Sequence, residues 1–347
     1  MHKFKITEII QQPNQNISIR FEDVTGNFPK YKAGQFLTLS FLFGEREVRR
    51  SYSFSSSPMI EEPYEITVKR VDNGEISRLL HHSTRSGDIV HVMDPQGLFV
   101  YDPQKESSRT IFLFAAGVGV TPLYSILKTA LVAEAKSKVV LIYSNSSKER
   151  TLFYEELLAW QAKYPDRLKI EFIWSNTKNL LKARLNRDYI IQLVNEQRET
   201  GIDSIYYTCG PLFYMDLCRF TLLGMGIPDE HIKKETFHFP EEEDDDDEKE
   251  EEPVDMSSYD VVVRLNGINH TLTVPYNKTI LDVGLEHKLP LPYSCKSGMC
   301  STCISQVVRG AVRMDYNEVL TDREVDNGRC LICTAHPLEE GTTIQVL

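Results

Sequence analysis

The sequence predicts a multidomain chain with three folded units: an antiparallel β-barrel over residues 1–104, an α/β doubly wound parallel sheet over 105–238, and a smaller α+β unit over 258–347. Three observations lead there. Short alternating strands broken by turn residues fill the first stretch. Continuous apolar strands alternating with apolar-periodic helices fill the second. An acidic linker at 239–257 parts both from a third stretch that carries most of the cysteines.

The first unit opens on Met1-His-Lys-Phe-Lys-Ile-Thr-Glu-Ile-Ile, whose alternation predicts a strand and lacks the continuous apolar core of a signal peptide. Ile17, Ile19 and Phe21 alternate, as do Phe36 with residues 38–43, and Ile66 with Val68. Gly26-Asn27, Ala33-Gly34, Asp72-Asn73-Gly74, Ser86-Gly87-Asp88 and Pro95-Gln96-Gly97 punctuate these runs as turns, so the stretch to about residue 103 reads as all-β.

The pattern then changes. Residues 110–115 form a continuous apolar strand, followed by Gly117-Val118-Gly119-Val120-Thr121-Pro122 and an apolar-periodic helix over 123–135. Strands are expected at 139–143, 169–174 and 204–208, and helices at 152–164 and 211–224. Thr121 is placed to cap the helix N-terminus and Pro122 to be its first residue. Gly117 and Gly119 let the backbone approach a phosphate, whose charge the helix end favours, although the third glycine of the dinucleotide fingerprint is absent.

The net charge of −11 is concentrated: residues 241–252 carry eleven acids and one lysine, which leaves the rest of the chain near neutral. Such a block cannot bury apolar surface and reads as an extended linker, with an acidic docking segment for a basic partner as the alternative. No basic stripe supports nucleic-acid binding. No apolar run reaches membrane-spanning length, so no membrane insertion is expected, and the location expected is cytoplasmic.

In the last unit Val261, Val263 and Leu265 alternate, Asn266-Gly267 turns, and Leu272 and Val274 return, which predicts a hairpin; a helix over 280–287 follows. Then comes Pro292-Tyr-Ser-Cys295-Lys-Ser-Gly-Met-Cys300-Ser-Thr-Cys303, with Cys333 further on. Cys-x4-Cys-x2-Cys with a distant fourth cysteine is the plant-type [2Fe–2S] spacing: one loop wraps two irons with three thiolates, and a separate segment closes the site. Gly298 sits inside the curl, where positive φ is most useful. Cys300-x2-Cys303 with Cys330-x2-Cys333 could instead form a zinc ribbon, but that leaves Cys295 without a role. No Cys-x-His pair suggests a Rieske centre.

Arg50-Ser-Tyr-Ser53, Gly117-Val-Gly-Val-Thr-Pro122, Cys209-Gly-Pro211 and Glu235-Thr-Phe237, in that order, resemble the ferredoxin–NADP reductase family. With a plant-type ferredoxin at the C-terminus the chain looks like a reductase component of a bacterial oxygenase system, of the phenylacetyl-CoA epoxidase type first and the phthalate dioxygenase type second. The resemblance implies a flavin-binding barrel, an NAD(P)-binding α/β domain and a β-grasp-like ferredoxin domain. It implies that Arg50 pairs with the flavin pyrophosphate, that Tyr52 lies against the isoalloxazine with Phe237 near it, and that Ser53 bonds near the reacting nitrogen. Gly74 and Ser77 would offer N–H and hydroxyl donors to phosphate. Cys209, with Gly210 and Pro211, would lie beside the nicotinamide, and Glu235 would stand close by.

The electron count then sets an order. A reduced nicotinamide delivers two electrons as hydride and the cluster accepts one, so a flavin must stand between them. NAD(P)H, flavin, cluster and an external electron-accepting redox enzyme, such as an oxygenase, follow in sequence. FAD is expected, with FMN as alternative. After the strand at 139–143, Ser146, Ser147, Lys148 and Arg150 could meet the 2′-phosphate of NADPH and no acid ends the strand directly, although Glu149 stands among them; NADH is the alternative. Two other classes stay open: a redox-responsive binding protein without a dedicated acceptor, and a reductase fused to a zinc module.

Overall fold

The computed structural model describes residues 1–44, 46–177, 179, 183–199, 201–237 and 257–347, and the chain divides into two compact units, Met1–Phe237 and His238–Leu347. The acidic linker expected at 239–257 lies, apart from Ser257, outside the described residues.

The first unit begins with β1 (His2–Gln12), β2 (Asn16–Asp23), β3 (Phe36–Phe43), β4 (Arg46–Ser53) and β5 (Tyr64–Lys69), then α1 (Glu75–His82) and β6 (Ile89–Val92). The strands form an antiparallel sheet in the order β4-β3-β6-β1-β2-β5. Its edges approach each other where Phe54 bridges to Ile66 and the Ser55 N–H donates to the Glu65 carbonyl at 2.8 Å, which curls the sheet into a barrel. The alternating residues fill it: Ile17, Ile19, Phe21, Leu37, Leu39, Ile66 and Val68 are all buried. The all-β expectation fails at α1. Its apolar residues Ile76 and Leu80 are one helical turn apart and plug the barrel, a period too short to stand out from its polar neighbours.

A parallel sheet follows in the same unit. It comprises β7 (Arg109–Ala116), α2 (Val120–Ala133), β8 (Lys138–Asn145), α3 (Tyr154–Lys163), β9 (Leu168–Trp174), α4 (Arg187–Gln197), β10 (Asp203–Cys209), α5 (Leu212–Gly224) and β11 (Ile232–Glu235), with strand order β11-β10-β7-β8-β9. Helix α4 and strand β11 were not foreseen. One cluster of buried side chains fills the α2/α3 face and another the α4/α5 face. The barrel joins the sheet through a buried polar seam. The Ser125 hydroxyl donates to the Ser56 carbonyl at 2.5 Å, Ser57 and Thr129 hydroxyls meet at 2.7 Å, and Lys128 on α2 pairs with Glu62 at 2.6 Å.

The second unit holds β12 (Tyr259–Leu265), β13 (Ile268–Val274), α6 (Ile280–Glu286), β14 (Ile304–Arg309), β15 (Val312–Met314), α7 (Asp322–Asp326), β16 (Arg329–Leu331), β17 (Ala335–Pro337) and β18 (Thr342–Val346). Its mixed sheet runs β13-β12-β18-β14-β16, with β12 and β18 parallel. Leu265 pairs with Ile268 across Asn266 and Gly267, both at positive φ, the two-residue hairpin that Asn-Gly favours. Thr279 and Asp282 form a capping box that starts α6.

Candidate functional site

The parallel sheet changes direction between β7 and β10, and such a switch point opens a crevice at the carboxyl ends of the strands. The register sets the rim: Glu235 lies beside Cys209, Cys209 beside Ala115, Ala116 beside Ser144, and Asn145 beside Trp174. Gly119 and Gly210 lock the two loops at the switch. A Cβ on Gly119 would stand 2.3 Å from the Cys209 carbonyl oxygen, and one on Gly210 would stand 2.8 Å from Ala116 Cβ. Gly117 has φ +55 and open space before it. Thr121 is not the helix cap. The chain enters α2 through a short 3-10 turn at Gly117–Gly119, so Thr121 is already helical and its hydroxyl donates back to the Val118 carbonyl at 3.1 Å. Pro122 is correspondingly the third residue of α2, still in the first turn, where no N–H is needed.

Several buried polar atoms near this rim lack a partner in hydrogen-bonding geometry among the described residues: Ser144 Oγ, Asn145 Nδ2, Thr208 Oγ1, Tyr214 OH and Thr236 Oγ1. Tyr214 and Ser144 do approach each other, but burial dominates and pushes the Tyr214 phenol far above its ordinary range. Thr208 Oγ1 lies against the Cys218 thiol in the core, and the others, left without full hydrogen bonding near the carboxyl ends of the strands, suit a polar ligand such as a dinucleotide. Sequence reasoning missed all five; the one available signal was the polar Ser144-Asn145 pair directly after a buried strand.

On the barrel side Ser53 ends β4, is buried, and its hydroxyl donates to Glu235 Oε2 at 3.4 Å. Glu235 is half-buried, with its carboxyl turned to Ser53. That burial pushes its pKa up to about 8, with the Ser53 hydrogen bond acting in the opposite sense. Burial, and then the neighbouring Glu235 charge, holds the Cys209 thiol well above its usual pKa. At neutral pH this corner therefore holds a protonated carboxyl and a hydroxyl, beside a neutral Cys209 thiol that is wholly buried in the core.

Tyr52 is half-buried and Arg50 exposed on β4, with Arg50 Nη1 donating to the Arg49 carbonyl. Phe237 is 37% exposed. Gly74 and Ser77 sit at the turn into α1. The Gly74 N–H already donates to the Val71 carbonyl, and the Ser77 hydroxyl accepts from the Val71 N–H at 3.2 Å and donates to the Val71 and Gly74 carbonyls at 3.3 Å. These groups shape the turn into α1; the donors left for an anion are the first N–H groups of the helix itself. Ser146 is exposed, Lys148 and Arg150 lie in a 3-10 turn after β8, and the exposed Glu149 is held below its ordinary range by the Ser147 hydroxyl.

In the second unit the thiols of Cys295, Cys300, Cys303 and Cys333 come together. Cys295 reaches Cys300 and Cys333, and Cys333 reaches Cys303. Hydrogen bonds from the Cys300 and Cys333 thiols, against the burial penalty, hold Cys295 far below an ordinary thiol, while Cys300 and Cys333 are raised. The Ser297 N–H donates to Cys295 Sγ at 3.4 Å. Gly298 has φ +72, and a Cβ there would meet the Tyr316 carbonyl oxygen at 2.4 Å, so the loop can close only over glycine. Among the described residues no three His, Cys, Asp or Glu side chains form the shell of a single ion, which a two-iron cluster sharing four thiolates does not require. Cys330 sits on β16 opposite Ser305, fully buried, its pKa pushed up to about 12 by burial. A ribbon of two CxxC pairs would need that thiol; the four that meet do not include it. No helix of the described residues is long and apolar enough to cross a membrane.

The chain matches three domain families: an oxidoreductase FAD-binding domain over residues 13–101, an oxidoreductase NAD-binding domain over 113–219, and a 2Fe-2S iron-sulfur cluster binding domain over 263–338. It is 33% identical to a component of the 1,2-phenylacetyl-CoA epoxidase of Escherichia coli (strain K12), over 91% of this chain and 88% of that protein. It is 31% identical to the 3-ketosteroid-9-alpha-monooxygenase ferredoxin reductase component of Mycolicibacterium smegmatis, over 99% of this chain and 96% of that one. Among solved structures, phthalate dioxygenase reductase superposes with a TM-score of 0.61 at 24% identity, covering 99% of this chain and 97% of its own.

Proposed function

Because the chain belongs to the ferredoxin–NADP reductase family, in the form with a C-terminal plant-type [2Fe–2S] domain, we propose that it draws electrons from NADPH through FAD and the cluster and delivers them to an oxygenase. It is an NAD(P)H-dependent flavin and iron–sulfur oxidoreductase, an electron-transfer reductase like the oxygenase components it matches. The finer choices are NADPH over NADH, FAD over FMN, an oxygenase as acceptor and a cytoplasmic location.

One observation carries the placement of the chemistry: Ser53 from the barrel, and Cys209 and Glu235 from adjacent strands of the sheet, meet at the switch point. The flavin supplies the means to accept two electrons together and release them singly. Against it, Tyr52 offers a flat face and Arg50 a cation for phosphate. Ser53 orients the Glu235 carboxyl, whose raised pKa keeps a proton at Oε1 or Oε2 for the nicotinamide corner. Cys209, neutral and fully buried, adds no charge to the nicotinamide corner. The Gly117–Gly119 turn and the α2 N-terminus, with Thr121 and Pro122 in the first turn, face the pyrophosphate, and Cys209-Gly210-Pro211 closes the other side. Cys295, Cys300, Cys303 and Cys333 would hold the two irons, with the Ser297 N–H turned to sulfur.

The NADPH preference rests on Ser146, Lys148 and Arg150 after β8, against which Glu149 stands alone. Steady-state flavin reduction with each nucleotide tests it: NADPH should give the higher kcat/KM, and a clearly higher value for NADH overturns it. Extraction of FMN in place of FAD would overturn the flavin assignment.

A further inference from the structure

Two residues before Glu235, on the same face of β11, stands the half-buried Lys233, and the parallel register sets it beside Tyr207 as it sets Glu235 beside Cys209. Residues that share a strand face are about 6.6 Å apart along the chain, so the Lys233 pair lies one step below the Glu235 pair. Lys233 and Tyr207 reach a single acceptor. The Tyr207 hydroxyl and the Lys233 ammonium each donate to the Val100 carbonyl at 3.0 Å, and Lys233 Nζ stands 5.3 Å from the Tyr207 ring centroid. Asp102, an acid whose charge reaches Lys233, is paired with Lys32 at 2.8 Å.

Val100 belongs to the segment that leaves the barrel, and that segment is fixed to the barrel on both sides of it. The Tyr101 N–H donates to the Ala33 carbonyl at 2.9 Å, and a Cβ on Gly34 would stand 2.0 Å from the Phe99 carbonyl oxygen. Strand β11 has four residues, lies at the edge of its sheet and is hydrogen-bonded along one side, to β10. At 3.4 Å the Ser53–Glu235 hydrogen bond is too long to fix the end of such a strand unaided.

We propose that Lys233 is a positioning residue for hydride transfer: by fastening β11 to the barrel at the Val100 carbonyl, it holds the Glu235 carboxyl against Ser53. This rests on the placement of the nicotinamide corner given above. Removing the ammonium leaves the Val100 carbonyl its Tyr207 donor, so no buried acceptor is orphaned; what is lost is the restraint on the end of β11. A displacement of about 1 Å at a reacting centre costs about 100-fold in rate, and partial loosening of a strand still paired with β10 should cost about tenfold. The affinity for the dinucleotide should hold, because its pyrophosphate is placed at the α2 N-terminus.

Anaerobic stopped-flow reduction of the flavin in the full chain tests this. Lys233→Met should lower the limiting rate about tenfold and leave the half-saturating NADPH concentration within about twofold of the parent value. Glu235→Ala should also slow reduction. In that background Lys233→Met should cause no further loss, since the carboxyl it positions is gone; a merely structural role would multiply the two effects. Tyr207→Phe, which removes the other donor to Val100, should follow Lys233→Met in both backgrounds and decides if that variant loses its flavin or its fold. If Lys233→Met reduces at the parent rate, or slows the Glu235→Ala chain as much as it slows the parent, the inference is overturned while the reductase reading stands. If neither NADPH nor NADH reduces the flavin of the parent chain, that reading itself fails and the inference with it.

Discussion

Gly119→Ala tests the architecture of the nicotinamide crevice most sharply. The added Cβ would stand 2.3 Å from the Cys209 carbonyl oxygen, 2.5 Å from its carbon and 2.8 Å from the Gly210 nitrogen, all backbone atoms that no rotamer can move. Carbon and oxygen meet comfortably at about 3.3 Å, so the two loops must part by about 1 Å. Overpacking of this kind costs about 2 kcal/mol, which for a unit of this size lowers Tm by about 4–8 °C. The kinetic effect should be larger. A displacement of about 1 Å at Cys209 moves the backbone beside which the nicotinamide is proposed to rest and should slow hydride transfer about 100-fold. Gly224→Ala is the control: nothing lies within 4 Å of the new Cβ, and Gly224 ends α5, away from the switch point. Anaerobic stopped-flow bleaching of the flavin by saturating NADPH reads the rate, and a thermal melt reads the stability. Iron content should stay at the parent level in both variants, because the cysteine loop belongs to the other unit. A Gly119→Ala protein that bleaches at the parent rate and melts at the parent temperature would refute the reasoning.

Two further outcomes are expected. Cys295→Ser should lose its iron and keep its flavin, so that NADPH still bleaches the flavin while one-electron reduction of a cytochrome falls sharply; Cys330→Ser should keep its iron, and equal iron loss in both variants would mean the ligand set is wrong. Glu235 holds its proton up to about pH 8 in the folded chain and loses it near the ordinary carboxyl value when unfolded. Its contribution to stability therefore declines as pH rises between those values and is fully lost above about 8. Glu235→Gln should flatten the fall of Tm across that window, and an unchanged pH slope would show that the carboxyl is not buried as described.

Periodicity located most strands and helices because burial of one face imposes period 2 or 3.6 on neighbouring residues. It gave no element at α1 and β11, where too few residues carry the pattern, nor at β6, α7 and β14–β18, nor at α4, although the buried Tyr189, Ile190, Leu193 and Val194 there are spaced for one helical face. The Cys295–Cys303 spacing and the Asn266-Gly267 turn were legible for the same reason: what they dictate is settled within a few residues of chain. The family resemblance named Ser53, Cys209 and Glu235 but not how they act. Ser53 and Glu235 are 182 residues apart, and the burial that protonates Glu235 comes from the barrel and sheet packing together.

The sequence by itself thus determined the order of the folded units, the hairpin register and the identity of the cysteine loop, since each follows from local stereochemistry and the alternation of apolar residues. Only the tertiary structure decided that Gly119 is glycine for the sake of the Cys209 backbone rather than a phosphate alone. It also decided that Gly74 and Ser77 are occupied in shaping a turn, that Thr121 lies inside its helix, and that Trp174 packs against Tyr154. Each of these depends on which distant backbone or side chain arrives within about 4 Å, the range over which packing and hydrogen bonds act. No pattern along the chain encodes that proximity until the sheet has brought its strands side by side.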